Sequence, residues 1–224
     1  MLSKYYSSAK MERMRKTKEE ALKTKQTILM AALNCFSEQG YFNTSLDEIA
    51  KQAKVTRGAV YWHFKNKSEI FDALHDALHE PFIQAITRDL ETDSAHPLLQ
   101  LKELVVNLLL ELETNSTRTR ILRLFYQCDY SGELQQFKQK HQNNKLESLQ
   151  LLQAYFDRAR QKGLLNQDAN PEILTLTLHC FLKGILYEYL TDSNLLSFKT
   201  QTEALTTQLF MGLNNCRSAC PDSK

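Results

Sequence analysis

Glycine and proline are scarce in this chain of 224 residues, at six and four, and β-branched alternation at period two is nearly absent. Sheet proteins need turn residues and half-buried alternating strands, so this scarcity argues for an all-α fold. Cysteine is confined to Cys35, Cys128, Cys180, Cys216 and Cys220, odd in number, scattered and without a CxxC pair. That excludes a disulfide framework and leaves reduced thiols, with Cys216 and Cys220 spaced for an adventitious disulfide in a polar tail. The longest apolar run, Leu104–Leu110, is broken by Asn107 and flanked by Glu103 and Glu111. Nothing therefore approaches the ~20 residues of a membrane helix. The N-terminal residues lack the apolar centre, ~7 residues or more, of a secretory signal, so the expectation is a cytoplasmic protein with no membrane partner. A glycine-rich phosphate loop, a nucleophile elbow and a Ser-His-Asp pattern are also missing, which points away from an enzyme and from any cofactor. His75 and His79 share a helix face without an evident third ligand, and no metal is expected.

What is present is an uneven distribution of charge. The net charge of +2 hides a surplus of seven positive charges in residues 1–67 and a deficit of five in residues 68–224. A basic N-terminal third on an acidic remainder predicts one module that meets a polyanion and another with a separate task. Apolar residues recur at three and four. The stripe Ala21, Leu22, Ile28, Leu29, Ala32, Leu33, Phe36 predicts a first helix over 18–39, closed by Gly40. Ser45-x-x-Glu48 has capping-box spacing and opens a short helix over 46–53. Lys54-Val55 is a tight connection, and Thr56 caps a second short helix over 57–64. Further helices are expected over 68–90, bent at Pro81, and over 98–113, 118–130, 133–162, 171–190 and 197–214, about nine in all.

Two helices of about two turns joined by a tight turn have the proportions of a helix-turn-helix, whose second helix enters a DNA major groove. Arg57 at the start of that helix has the reach to read a base edge. Gly58 admits close approach of a phosphate, and Tyr61, Trp62 and His63 supply donors in successive directions. Lys67 brings a cation to the start of the next helix. Val60 and Phe64, four apart, are expected in the core, and Tyr61, Trp62 and His63 at the surface.

The segment from Gly40 to Lys67, with its "TRGAVYWHFKNKSEIF" continuation and the opening "RKTKEEALKTKQTIL", resembles the N-terminal signature of TetR-type regulators. It is most similar to the acridine-resistance (AcrR-type) branch, which represses multidrug efflux operons. The resemblance implies that Thr44, Thr56, Gly58, Tyr61, Trp62, His63 and Lys67 hold phosphates and that Arg57 reads a base. It implies double-stranded operator DNA and a small-molecule inducer as partners, and a homodimer built from the last two helices. The organisation expected is a basic arm over 1–17, a three-helix DNA-binding domain over 18–67, an effector-binding and dimerisation domain over 68–215 and a tail over 216–224. The arm is either a mis-assigned start, with Met14 the true one, or a basic minor-groove arm.

Phe82, Phe125, Tyr126, Gln127, Tyr155, Phe156, His179 and Tyr187 are the candidates for lining an effector site, by stacking and cation–π attraction. Glu80, Glu111 or Glu188 is available to neutralise a cationic drug. The function expected is a repressor released by a small hydrophobic or cationic inducer. The alternatives are a regulator of lipid or other metabolic genes from the same family, and more distantly a helical small-molecule carrier or enzyme with a basic face.

Overall fold

The computed structural model describes residues 2–166, 168–192 and 195–214, with the side chains of residues 2–16 and of Asn214 outside that description. The arm's side chains, the 216–224 tail and the Cys216–Cys220 pairing therefore lie outside the described residues. The chain divides into two compact units, Met1–Asp76 and Ala77–Lys224. Among the described residues there are nine α-helices, one 3-10 turn and no strand.

The first unit holds α1 (Leu2–Gln39), α2 (Leu46–Ala53), α3 (Arg57–His63) and the start of α4 (Lys67–Glu91). The expected start of the first helix at Lys18 is corrected: the helix begins at Leu2. No glycine or proline interrupts residues 2–39, so helix propensity carries α1 past the start of the apolar stripe at Ala21. Gly40, at φ +82°, closes α1 with its amide donating to the Phe36 carbonyl at 3.1 Å, a left-handed cap that glycine adopts without a Cβ penalty. The core joins Ile28, Ala32, Leu33 and Phe36 of α1 to Ile49 and Ala50 of α2, Val60 of α3 and Ile70 and Phe71 of α4, all buried. Tyr41, in the α1–α2 turn, packs its ring 5.3 Å from Phe36 and 5.2 Å from Phe71, which fixes that turn against α1 and α4.

The second unit continues α4 through Pro81 and adds α5 (Pro97–Thr114), α6 (Ser116–Tyr126), a 3-10 turn (Gly132–Leu134), α7 (Gln135–Gln161), α8 (Pro171–Thr191) and α9 (Phe198–Asn214). α6 starts earlier and ends earlier than its expected 118–130. The Asn115 side chain accepts from the Arg118 amide at 3.1 Å, and after Tyr126 the chain leaves the helix toward Gly132, at φ +56°. Leu101, Val105, Leu109 and Leu112 form the buried stripe of α5 and meet Leu152, Tyr155, Phe156 and Ala159 of α7 and Leu174, Leu178 and Ile185 of α8 in one core. The end of α4 is bound to α7. The Tyr155 hydroxyl donates to Asp89 Oδ2 at 2.6 Å, and the Arg158 guanidinium donates to the carbonyls of Leu90 at 2.6 Å and Thr92 at 3.2 Å.

α8 corrects a second expectation. By length and composition it is the one helix among the described residues apolar enough to cross a membrane, although only 28% of its apolar window is buried. No unbroken apolar run reveals this, because Thr, His and Lys interrupt a segment whose average remains high. One face carries the core residues Leu174, Leu178 and Ile185, while Ile173, Leu176 and Tyr187 on the opposite side are exposed.

Candidate nucleic-acid interface and effector region

The two short helices of the first unit are set by their ends. Ser45 Oγ accepts the Glu48 amide at 3.2 Å, and Glu48 Oε2 accepts the Ser45 amide at 2.7 Å and its hydroxyl at 2.8 Å. These bonds hold the Glu48 carboxyl below the usual carboxylate range and satisfy two donors at the helix start. α2 then stops at Lys54, the one described non-glycine residue with positive φ, at +55°. The Lys54 amide donates to the Lys51 carbonyl at 3.2 Å and the Val55 amide to the Ala50 carbonyl at 3.1 Å, so the left-handed residue turns the chain within two positions. Thr56 starts α3 by accepting the Ala59 amide on Oγ1 at 3.1 Å.

α3 buries Val60 (0% exposed) and, just past its end, Phe64 (4%), while Tyr61 is 45% and Trp62 72% exposed. A tryptophan that open is uncommon in a folded surface and marks a face with business outside the chain. His63 differs from expectation: it is half-buried with its ring 4.5 Å from that of Trp62. Burial and the nearby Lys25 lower its pKa, so the imidazole is neutral near pH 7 and offers one N–H. Arg57 is exposed but held: Nε lies 3.1 Å from Asp47 Oδ1, and Nη2 donates to the Tyr61 hydroxyl at 3.3 Å. Asp47, which sequence reasoning passed over, thereby orients Arg57 across the turn from α2.

Gly58 needs no special backbone angle, and a Cβ there would meet only Thr56 Oγ1 at 3.9 Å. Among the described residues nothing demands glycine at this exposed position. Thr44 and Lys67, by contrast, are engaged internally. Thr44 is buried, its hydroxyl donating to the Gly40 carbonyl at 2.8 Å. The Lys67 ammonium donates to the carbonyls of Tyr41 at 2.9 Å and Phe42 at 3.4 Å and sits 4.3 Å over the Tyr41 ring. Thr56, Arg57, Gly58, Tyr61 and Trp62 are exposed together on one short helix and its cap, with His63 partly so.

In the second unit the effector candidates separate into groups. Tyr155 and Phe156 are fully buried, with Phe82 packed against the same core. Phe125 lies edge-on to His141 at 5.9 Å. Tyr126 is half-buried, its hydroxyl donates to the Lys183 carbonyl at 3.3 Å, and the Lys183 ammonium stands 4.5 Å over its ring. His179 is half-buried one turn before Lys183. Gln127, Glu111 and Tyr187 are exposed, and Glu111 pairs with Arg118. Glu80 and Glu188 are likewise exposed. His79 Nε2 donates to the Asn144 carbonyl of α7 at 3.1 Å and lies 3.3 Å from the Ser148 hydroxyl.

Comparison with known proteins agrees with this division. Residues 28–74 match the N-terminal family of bacterial regulatory proteins of the tetR type, and residues 96–214 match the C-terminal region of MAATS-type transcriptional repressors. The chain is 34% identical over 178 residues to the HTH-type transcriptional regulator AcrR of Shigella flexneri, covering 79% of this chain and 82% of that one. Among solved structures, NalD, the secondary repressor of the MexAB-OprM multidrug efflux pump in Pseudomonas aeruginosa, superposes with a TM-score of 0.76 at 30% identity, over 89% of this chain and 100% of that one. SmeT, repressor of the Stenotrophomonas maltophilia multidrug efflux pump SmeDEF, superposes in its triclosan complex with a TM-score of 0.77 at 29% identity, over 84% of this chain and 90% of that one.

Proposed function

The chain belongs to the TetR family of bacterial regulators, and from that premise we propose that it is a cytoplasmic, homodimeric repressor of a multidrug efflux operon, released from its operator by a small hydrophobic inducer. The observation that carries the reading is the exposed face of α3, where Arg57 is held by Asp47 and Tyr61 beside an open Trp62 and a glycine that no contact among the described residues requires. Arg57 reads a base edge. Thr56, Gly58, Tyr61, Trp62 and His63 meet the flanking phosphates, and Thr44 and Lys67 hold the α1–α2 turn in register, Lys67 also offering its charge to the backbone. The domains assigned are the arm over 1–17, the DNA-binding domain over 18–67 and the effector domain over 68–215.

A dimer accounts for α8. Its exposed Ile173, Leu176 and Tyr187, with Met211 on α9, form apolar surface that a second copy covers. Gly184 and Gly212, each with open space where a Cβ would stand, let helix backbones approach closely. Two α3 helices then enter successive major grooves about 34–36 Å apart, so the operator is a near-palindrome. α4 is one continuous helix from Lys67 to Glu91, and its far end is bonded to Tyr155 and Arg158 of α7. A ligand that prefers a different packing of α7 therefore acts on the helix whose near end carries Lys67, and lowers operator affinity by its differential affinity for the two states. The test is selection of genomic fragments by the purified chain at physiological salt, followed by footprinting. One or a few near-palindromes upstream of a transporter operon are expected. Sequence-indifferent, salt-sensitive binding alone would overturn the reading.

A further inference from the structure

Asp47 is the second residue of α2 and Arg57 the first of α3. Their side chains are 62% and 63% exposed, yet Asp47 Oδ1 lies 3.1 Å from Arg57 Nε across the turn between the helices. A second tie comes from one helical turn further on. Arg57 Nη2 donates to the Tyr61 hydroxyl at 3.3 Å, and Cζ stands 5.4 Å from the centre of the Tyr61 ring. An ion pair this open contributes little to stability, because water screens it and two side chains give up rotamer freedom to form it. What it does supply is orientation. A long arginine left to itself at a helix start samples many rotamers and meets whichever phosphate is nearest. Here a carboxylate and a phenol hold it in one.

The two ties also decide which edge of the guanidinium stays available. Its planar fork carries five N–H donors. Asp47 and Tyr61 take the Nε hydrogen and one on Nη2, which leaves both hydrogens of Nη1 and the other of Nη2, at the end of the fork. Two parallel donors match guanine, which presents the acceptors O6 and N7 side by side in the major groove; adenine sets a donor beside its N7, and cytosine offers a donor alone. The charge of Asp47 acts in the same direction. A carboxylate beside Arg57 offsets part of the attraction that would draw the guanidinium onto a phosphate, so contacts with the backbone alone are disfavoured while the base contact is prepared. We propose that Asp47 is the positioning residue that commits Arg57 to guanine, and that each operator half-site carries a guanine at the base pair Arg57 meets. The inference rests on the operator-binding reading and adds to it the base that is read and the residue that enforces the choice.

The test is equilibrium binding of the full chain, at about 0.15 M salt, to the footprinted site, to versions with each of the four bases at the position whose preference Arg57→Ala relaxes, and to a scrambled duplex. The parent chain is expected to prefer guanine there by roughly 5–150-fold. Asp47→Asn should reduce that preference by about threefold to fivefold, the scale of an exposed ion pair, while its affinity for the scrambled duplex holds or rises. Its melting temperature should barely move, since Glu48 keeps an acid in the first turn of α2. Asp47→Glu should restore most of the preference, and Asp47→Asn should have no further effect at that position once Arg57→Ala is in place. A preference for another base, a guanine preference that Asp47→Asn leaves intact, or affinities for all duplexes that fall together with the melting temperature would overturn the proposal. Failure of Asp47→Asn alone to alter the preference defeats this inference and spares the reading beneath it, whereas a parent chain with no base preference at any position defeats that reading.

Discussion

Lys67 carries two roles that one substitution can separate. In Lys67→Met the aliphatic stem keeps its packing while the ammonium is lost. With it go the bonds to the carbonyls of Tyr41 at 2.9 Å and Phe42 at 3.4 Å, and the contact with the Tyr41 ring at 4.3 Å. A hydrogen bond from a charged donor contributes about 1.5–3 kcal/mol and an accessible cation–π contact about 0.5–1 kcal/mol. The second carbonyl is distant, the site is half-exposed and water replaces part of the loss, so the net cost is about 2 kcal/mol. Hydrogen–deuterium exchange on the full chain reads this locally. Amides of the first-unit core, such as Phe36 and Phe71, should exchange roughly 30-fold faster, while the α5 and α7 core is unchanged. The second role is read by salt. If Lys67 also neutralises a phosphate, the slope of log affinity against log salt falls by about 0.9 per site, or about 2 for a dimer on its operator. Unchanged exchange would refute the anchoring argument, and reduced affinity with an unchanged salt slope would refute the phosphate contact.

Four further outcomes follow from the same geometry. Arg57→Ala should lose roughly 5–150-fold in operator affinity per half-site and relax preference at one base position, measured by binding to a panel of single-base operator variants. Gly58→Ala should leave the fold intact or stabilise it by about 0.5–1 kcal/mol, since a Cβ meets only Thr56 Oγ1 at 3.9 Å, yet weaken DNA binding; denaturation and gel-shift titrations together check the pair. Lys54→Gly should stabilise the first unit by about 0.5–1 kcal/mol in urea denaturation, because the residue sits at φ +55°, where a Cβ is strained. His63 has a pKa lowered first by burial and then by Lys25. The stability it lends is therefore present above its ordinary value of about 6.5 and is lost as pH falls through the lowered one. A phosphate beside it acts in the opposite direction, so operator binding should take up a proton and strengthen between about pH 8 and pH 6, and His63→Gln should flatten that dependence.

Local signals were legible and long-range ones were not. The capping box at Ser45 and Glu48, the cap at Thr56 and the burial of Val60 and Phe64 each depend on residues within four positions, and the structure has them as the spacing predicts. The apolar stripe begins only at Ala21 and so predicts a start near Lys18, whereas α1 begins at Leu2 because no glycine or proline breaks the residues before the stripe. Asp47 holding Arg57 and Lys67 reaching back to Tyr41 depend on how helices cross, which no periodicity encodes. The membrane-like composition of α8 is carried by its average and not by any unbroken run. Glu80, Glu111 and Glu188 looked available for a cationic ligand, and all three lie exposed.

The central claim is that α3 reads sequence. The most direct measurement is an equilibrium competition at about 0.15 M salt between the best footprinted site and a scrambled duplex of equal length and composition, with the parent chain and with Arg57→Ala. The account predicts a preference of about 10³-fold or more for the parent chain and a markedly smaller one for the variant. A parent preference within about tenfold, or one that Arg57→Ala leaves intact, would contradict it.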